Sequence, residues 1–316
     1  MGKFIITIDT EGDDLWSWKE GMEIRTENIR FLPRFQQKCE EYGFKPVWLT
    51  NYEMIESPNF VEFISDVEER GTGELGMHLH AWNSPPFYDL QGNCPGNPYL
   101  IEYPYEIMSE KIRYITDLIF KRTGIRPVSH RAGRWATNSN YFDLLIRYGY
   151  KVDCSVTPLM NWSSCVGRTQ GSAGTDYSDF PHTPYNIQSQ ICDDTILEVP
   201  VTTMLKKAFI MPSTLNLKSI GKCLLNIVHP CLLWIRPTGR NLNQIKYVIE
   251  NAQSNYLMFM IHSSELMPGG SPNFKTAEEI NTLYKHLDIL FKELVSKGYE
   301  GCTLRQFEGL WRESKK

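Results

Sequence analysis

Phe4-Ile5-Ile6-Thr7-Ile8-Asp9-Thr10-Glu11-Gly12-Asp13-Asp14 runs from an apolar, β-branched stretch straight into four carboxylates. Residues of the first type favour the pleated chain, on which side chains alternate between faces. A strand is therefore expected over 4–8, ending where the charge begins. Carboxylates crowded this closely repel one another unless solvent, a cation or an arginine offsets the charge.

The same pattern recurs along the chain. Apolar, β-branched runs at 47–50, 75–80, 128–131, 152–156, 196–201, 257–261 and around Cys302-Thr303 read as further strands. Between most of them lie residues at helical spacing, such as Ile29, Leu32, Phe35 and Cys39, or Ile280, Leu283, Leu287, Leu290 and Leu294. Gly43, Gly124, Gly149 and Gly298 each follow such a segment, where a helix commonly ends. Repeated βα units imply a parallel sheet with covering helices, closed or open. Asp9, Asn51, His78, His80, Arg131, Thr157 and His262 lie at or just past the C-terminal ends of different expected strands. In a closed barrel those ends meet on one face, whereas in an open sheet only those beside one crevice do. The expectation is a distorted, seven-stranded parallel (β/α) barrel formed by one domain over residues 1–316.

The chain has 316 residues, 41% hydrophobic and 22% charged, with a formal charge of -4. That balance offers no general attraction to nucleic acid or to an anionic membrane. The apolar run at the start is too short for a signal-peptide core and has no small-residue cleavage site after it, so the cytoplasm is the expected compartment. Eight cysteines lack the close pairs of a zinc module and read as reduced thiols. The most apolar stretch, 223–235, is too short to span a bilayer. A buried helix broken at Pro230 is expected there; the alternative is an interfacial helix giving weak membrane association. Two long stretches without period, 84–104 and 158–190, read as loops that cover a site or carry specificity.

Gly76-Met77-His78-Leu79-His80-Ala81-Trp82 sets two imidazoles two residues apart. On a strand both point to one face, the spacing of a chelate. Joined with the carboxylates that end the first strand, the pair makes a two-histidine, one-carboxylate site for a divalent metal with open positions, zinc by donor type. Trp16, Trp18, Trp82, Trp135 and Trp162 follow strand ends and would rim such a site, where flat rings suit the apolar face of a sugar. His130, His182, His229 and His286 have no constellation around them and read as structural.

In order, Asp9 with Glu11 to Asp14, His78 with His80, His130-Arg131-Ala132-Gly133-Arg134-Trp135, Asp153-Cys154-Ser155 and Met260-Ile261-His262-Ser263-Ser264-Glu265 resemble the motifs of the polysaccharide deacetylase family, also called carbohydrate esterase family four. The correspondence covers about residues 5 to 265. It departs from the family where two adjacent aspartates become Asp9-Thr10-Glu11, where the histidine pair is more tightly spaced, and where a Pro-Tyr becomes Arg134-Trp135. The pattern is similar to a divergent branch found among bacterial surface-glycan proteins, which implies surface polysaccharide biosynthesis. The metal carboxylate could be Glu11, Asp13 or Asp14; Glu11 is favoured because it shares a strand face with Asp9.

The resemblance implies hydrolysis of an acetamide on a sugar or glycan precursor. An amide needs an activated water, a stabilised oxyanion and an acid for the departing nitrogen. By resemblance Asp9 is the base, Arg131 its partner, His262 the acid and Asp153 the group that orients His262. Trp16, Trp82, Arg134 and Trp135 are expected to touch substrate. Two other readings stand beside this one. A metal-dependent amidohydrolase also uses a His-x-His pair, but after its first strand. A catalytically inactive sugar-binding barrel would keep the fold and lose the metal.

Overall fold

The computed structural model describes residues 2–206 and 230–315. His229 and most of the 223–235 stretch lie outside the described residues. The strands are β1 (Lys3–Thr10), β2 (Pro46–Thr50), β3 (Glu74–Leu79), β4 (Ser129–Ala132), β5 (Val152–Asp153), β6 (Tyr185–Gln188), β7 (Thr195–Glu198), β8 (Thr203–Lys206), β9 (Cys231–Trp234), β10 (Tyr256–His262) and β11 (Glu300–Gly301). The helices are α1 (Leu32–Glu40), α2 (Tyr52–Ile55), α3 (Pro58–Glu69), α4 (Tyr105–Thr123), α5 (Ser139–Arg147), α6 (Leu242–Asn251), α7 (Ala277–Ser296) and α8 (Leu304–Glu313).

The main sheet runs β10-β1-β2-β3-β4-β5-β7-β6, with β11 added to β1. Every pair from β10 to β7 is parallel, which makes the curled, seven-stranded parallel sheet expected of a distorted barrel. Among the described residues no ladder joins β7 to β10. The chain following β7 reaches β10 through other bonds: Met258 N donates to Thr202 Oγ1 at 2.8 Å and Tyr256 Oη to the Pro200 carbonyl at 2.6 Å. Ile235 forms a single parallel bridge to Phe259.

Alternation along the strands divides the core in two. Phe4, Ile6 and Ile8 of β1 face the helices with Leu32, Phe35, Ile112 and Leu287. Ile5 faces inward with Val47, Leu49, Val152, Cys154, Met258 and Met260. Leu304 and Phe307 of α8 join this inner cluster. The burial of such side chains, worth about 1.5–3 kcal/mol each, is what holds the curl. Gly124 ends α4 in the left-handed conformation, φ 74°, and its N–H bonds back to the Phe120 carbonyl.

Three elements differ from the sequence expectation. The strand expected over 152–156 stops at Asp153 because side chains replace the ladder: Ser155 N donates to Asp153 Oδ1 and Val156 N to Glu198 Oε1, both at 3.0 Å. The stretch 158–190 is not all loop, since β6 pairs antiparallel with β7 at the sheet edge. The described end of the 223–235 stretch is not helical: β9 pairs antiparallel with β8. Among the described residues no helix is long and apolar enough to cross a membrane.

Candidate metal centre

Strand parity selects the residues that meet at the C-terminal mouth. Counting inward positions from Ile5 on β1 gives Thr7 and then Asp9; from Met258 on β10 it gives Met260 and then His262. Asp9 and His262 are register partners, as are His78 and Arg131. Glu11 and His80 follow β1 and β3 by one residue each.

Glu11, His78 and His80 form a compact donor set. Their separations are 3.2 Å between the two Nε2 atoms, 2.8 Å from His80 Nε2 to Glu11 Oε2 and 3.5 Å from His78 Nε2 to the same oxygen. Ligands at about 2.0–2.1 Å in a tetrahedral shell stand roughly 3.3 Å apart, so these donors fit one zinc-sized ion. The far side of the pair is also arranged for it. His78 Nδ1 donates to the Arg131 carbonyl at 2.9 Å, which leaves Nε2 with its lone pair toward the site. Gly133 lets the ends of β3 and β4 close up: a Cβ there would lie 2.4 Å from the Leu79 carbonyl oxygen and 2.7 Å from His80 Nδ1. Ser263 fixes Glu11 from β10's side, its Oγ accepting from Glu11 N and donating to Glu11 O at 3.0 Å each.

The electrostatics suit a cation. Burial opposes the charge on Glu11, yet His262, His78 and His80 outweigh it and drive the carboxyl far below its usual range. Burial likewise opposes a charged Asp9, and Arg131, His78 and His262 overcome it, so Asp9 is held ionised. Burial lowers His80, whereas at His78 the same penalty is exceeded by Asp9 and Glu11 and the imidazole is raised. Arg131 is fully buried; it donates to Asp9 Oδ1 at 2.7 Å, to Thr7 Oγ1 at 2.9 Å and to the Cys154 carbonyl at 3.1 Å.

His262 Nε2 lies 3.9 Å from both Asp9 Oδ2 and Glu11 Oε1. Its other nitrogen does not meet Asp153. Cys154 and Val152 fill the inner face, so Asp153 between them points outward, where its Oδ2 is 2.6 Å from His130 Nδ1 and His130 Nε2 is 2.9 Å from Tyr141 Oη. The expectation that Asp153 orients His262 is therefore corrected. That position is taken by Glu265, whose Oε2 is 3.0 Å from His262 Nδ1. Burial would raise Glu265, but Arg236, His262 and Asn273 hold it at about 2. Arg236 donates to Glu265 Oε2 at 3.2 Å.

The remaining carboxylates of the first loop do other things. Asp13 accepts from the backbone of Glu27 and Asn28 at 2.9 and 3.0 Å, which pins the following turn. Asp14 takes a left-handed backbone, φ 44°, outside the donor set. A cavity of about 230 Å³ opens over the site, lined by Asp9, Glu11, His78, His80 and His262 and walled by Trp16, Trp82, Arg134 and Trp135. Trp16 stands edge-on to the His262 ring at 4.9 Å. Trp135 lies under the Arg131 guanidinium at 4.9 Å, and the Arg134 guanidinium is engaged by the Asn97 and Val166 carbonyls. Glu265, Arg236 and Ser263 are the residues that the sequence reading did not assign; Glu265 alone carried a signal, three residues past His262.

No family model matches the chain, and no curated protein matches it in sequence. Solved structures do match. A chain described as a glycoside hydrolase/deacetylase from Parabacteroides distasonis superposes with a TM-score of 0.59 at 11% identity, over 99% of this chain and 72% of that one. A chain described as a polysaccharide deacetylase from Mycobacterium smegmatis gives 0.52 at 12% identity, over 100% and 92%. The fold is that of the polysaccharide deacetylases. It is shared with 4-alpha-glucanotransferase from Thermococcus litoralis, at a TM-score of 0.54 and 14% identity over 97% of this chain and 40% of that one. Identities this low carry the fold across and leave the chemistry to be argued from the site.

Proposed function

We propose that this chain is a metal-dependent hydrolase that removes the acetyl group from an N-acetylated sugar of a glycan or glycan precursor. The observation that carries the reading is the Glu11, His78 and His80 donor set facing Asp9 and His262 across one small cavity. A divalent ion held there, zinc by donor type, would activate water and polarise the acetyl carbonyl.

The chain's own groups supply the rest. Arg131 binds Oδ1 of Asp9 and leaves Oδ2 toward the cavity, so the ionised carboxylate can accept the water's proton there. His262 presents Nε2 from the neighbouring strand, 3.9 Å from Asp9 Oδ2, where it can hand a proton to the departing sugar nitrogen, while Glu265 fixes the ring through Nδ1. Trp16, Trp82 and Trp135 line the cavity where the apolar side of a pyranose would sit. Arg134 shapes the wall by holding the loops at Asn97 and Val166.

Elemental analysis should find about one divalent ion per chain, lost in a His78→Ala, His80→Ala variant. The metal-loaded protein should release acetate and free amine, read by mass, from N-acetylated sugars. Sugar binding with neither bound metal nor release of acetate would favour the sugar-binding barrel. Release confined to cyclic amides or ureides would favour the amidohydrolase reading.

A further inference from the structure

The two strands that deliver the metal donors are not neighbours in the sheet. β1 ends one residue before Glu11 and β3 one residue before His80, while β2 runs between them. Glu11 and His80 therefore both stand past the ends of their own strands, where the ladder no longer sets their spacing. β2 supplies no donor itself. The residues that follow it reach to both sides.

Asn51, the first of them, is fully buried. Its N–H donates to the Thr10 carbonyl at 2.9 Å, and its Oδ1 accepts from His80 N and from Ser84 Oγ at 3.4 Å each. In the first turn of α2, Glu53 Oε1 accepts from Gly12 N at 2.6 Å and Oε2 from Asn83 Nδ2 at 2.8 Å. Asn51 Nδ2 closes the ring, 3.3 Å from Glu53 Oε1. Hydrogen bonds to a carboxylate are of the short, strong kind, and these two join the residue after Glu11 to the loop after His80. The far arm is anchored in turn. Lys111 of α4 is fully buried and donates through Nζ to the carbonyls of Ala81, Ser84 and Pro86 at 2.9, 2.6 and 2.7 Å. Asn51, Glu53 and Asn83 are not among the residues that line the cavity over the donors, so they act from behind the site.

We infer that Glu53, seated by Asn51, is a positioning residue for the metal centre: it clasps the loop carrying Glu11 to the loop carrying His80 and so sets the separation at which the two donors meet an ion. The inference rests on the reading of Glu11, His78 and His80 as metal donors, and not on which bond is hydrolysed.

Cobalt(II) loaded into the full chain tests it, because its visible bands follow the coordination geometry and its affinity is read by competition with a chelator. In mildly alkaline buffer Glu53→Ala should lower the affinity by at least about tenfold, as loss of a partner outside the donor shell does, and should shift and weaken the bands. Glu53→Gln keeps an oxygen for Gly12 N and lets the Asn83 amide turn over to meet the new NH2, so it should return the bands of the parent. Asn83→Ala cuts the far arm alone; it should move the bands in the same direction as Glu53→Ala and serves if that variant does not fold. Parent-like bands and affinity in the folded variants would overturn the clasp, even with a lowered melting temperature. Equal losses in Glu53→Gln and Glu53→Ala would overturn it too, because charge alone would then be the cause. Acetate release from N-acetylglucosamine, measured on the same samples, separates the two readings. If the spectra change as expected and the parent releases no acetate, the clasp stands and the hydrolase reading fails. If the parent releases acetate and the spectra do not change, the hydrolase reading stands and the clasp falls. A parent that takes up no cobalt overturns the donor set and the clasp together.

Discussion

Glu265 Oε2 sits 3.0 Å from His262 Nδ1 and also accepts the His262 backbone N–H at 3.0 Å. One carboxylate thus fixes both the ring and the turn that carries it, with Arg236 and Asn273 holding the carboxylate in turn. Replacing it with an amide of the same shape removes the negative charge that faces His262 Nδ1. Glu265→Gln is expected to lower kcat by about 10²-fold, as loss of a positioned acid does. Asp153→Asn breaks a buried bond to His130 instead, so it should cost about 1–3 kcal/mol of stability with a much smaller effect on kcat. Steady-state kinetics beside thermal melts separate the two, and the reverse pattern would restore Asp153 to the site.

Asp9 combines two tasks that one variant can pull apart. Asp9→Asn should lose at least about 10²-fold in turnover while the metal content stays near that of the parent, because the donors are Glu11, His78 and His80. It should also destabilise by about 3–5 kcal/mol, since the buried Arg131 guanidinium is left without its counter-charge. Metal analysis and denaturant melts check each part.

Glu53 gives the metal-free protein a pH dependence. Its Oε1 accepts from Gly12 N at 2.6 Å and its Oε2 from Asn83 Nδ2 at 2.8 Å, which links the loop carrying Glu11 to the loop after His80. Burial pushes its carboxyl up to about 7 despite those donors. The unfolded chain ionises near pH 4.3, so between about 4.3 and 7 the folded state binds more protons and the stability from this group is lost as pH rises, by at most about 4 kcal/mol. Glu53→Gln removes the titration. Melting both proteins in chelator across that window should show the parent losing ground to the variant as pH rises, and parallel curves would disprove the linkage.

Gly133 is a steric requirement of the metal centre. An added methyl would meet the Leu79 carbonyl and His80 Nδ1, and neither is the free end of a flexible chain. Gly133→Ala should part β3 from β4, costing about 1–3 kcal/mol as overpacking does. Displacement of His80 should lower metal affinity by at least about tenfold, read by competition with a chelator.

Much of this was legible in the sequence, and the misses have causes. The apolar runs that end in Asp9, His78, Arg131 and His262 announced both the parallel strands and the face on which they end. Asp153 was placed by motif order, although Val152, Cys154 and Val156 already assign the inner positions to their own parity and turn Asp153 outward. Arg236 follows no local pattern, because its contact with Glu265 exists only after β9 comes alongside β10. β9 lay in an apolar run whose length and period do not separate strand from helix. β6 is a four-residue edge strand in polar surroundings, paired only by its neighbour in space.

The register of Asp9 opposite His262 has a consequence for how such a molecule can change. The gap between these two backbones is the spacing of adjacent strands, roughly 4.8 Å, a property of the sheet that no rim residue controls. The rim, by contrast, is delivered by stretches such as 84–104 that can lengthen, shorten or be exchanged without moving either strand. The proposed base and acid therefore behave as an inherited chassis, and the sugar preference as interchangeable bodywork. The fold that sets this spacing is shared with structural neighbours at only 11–14% identity.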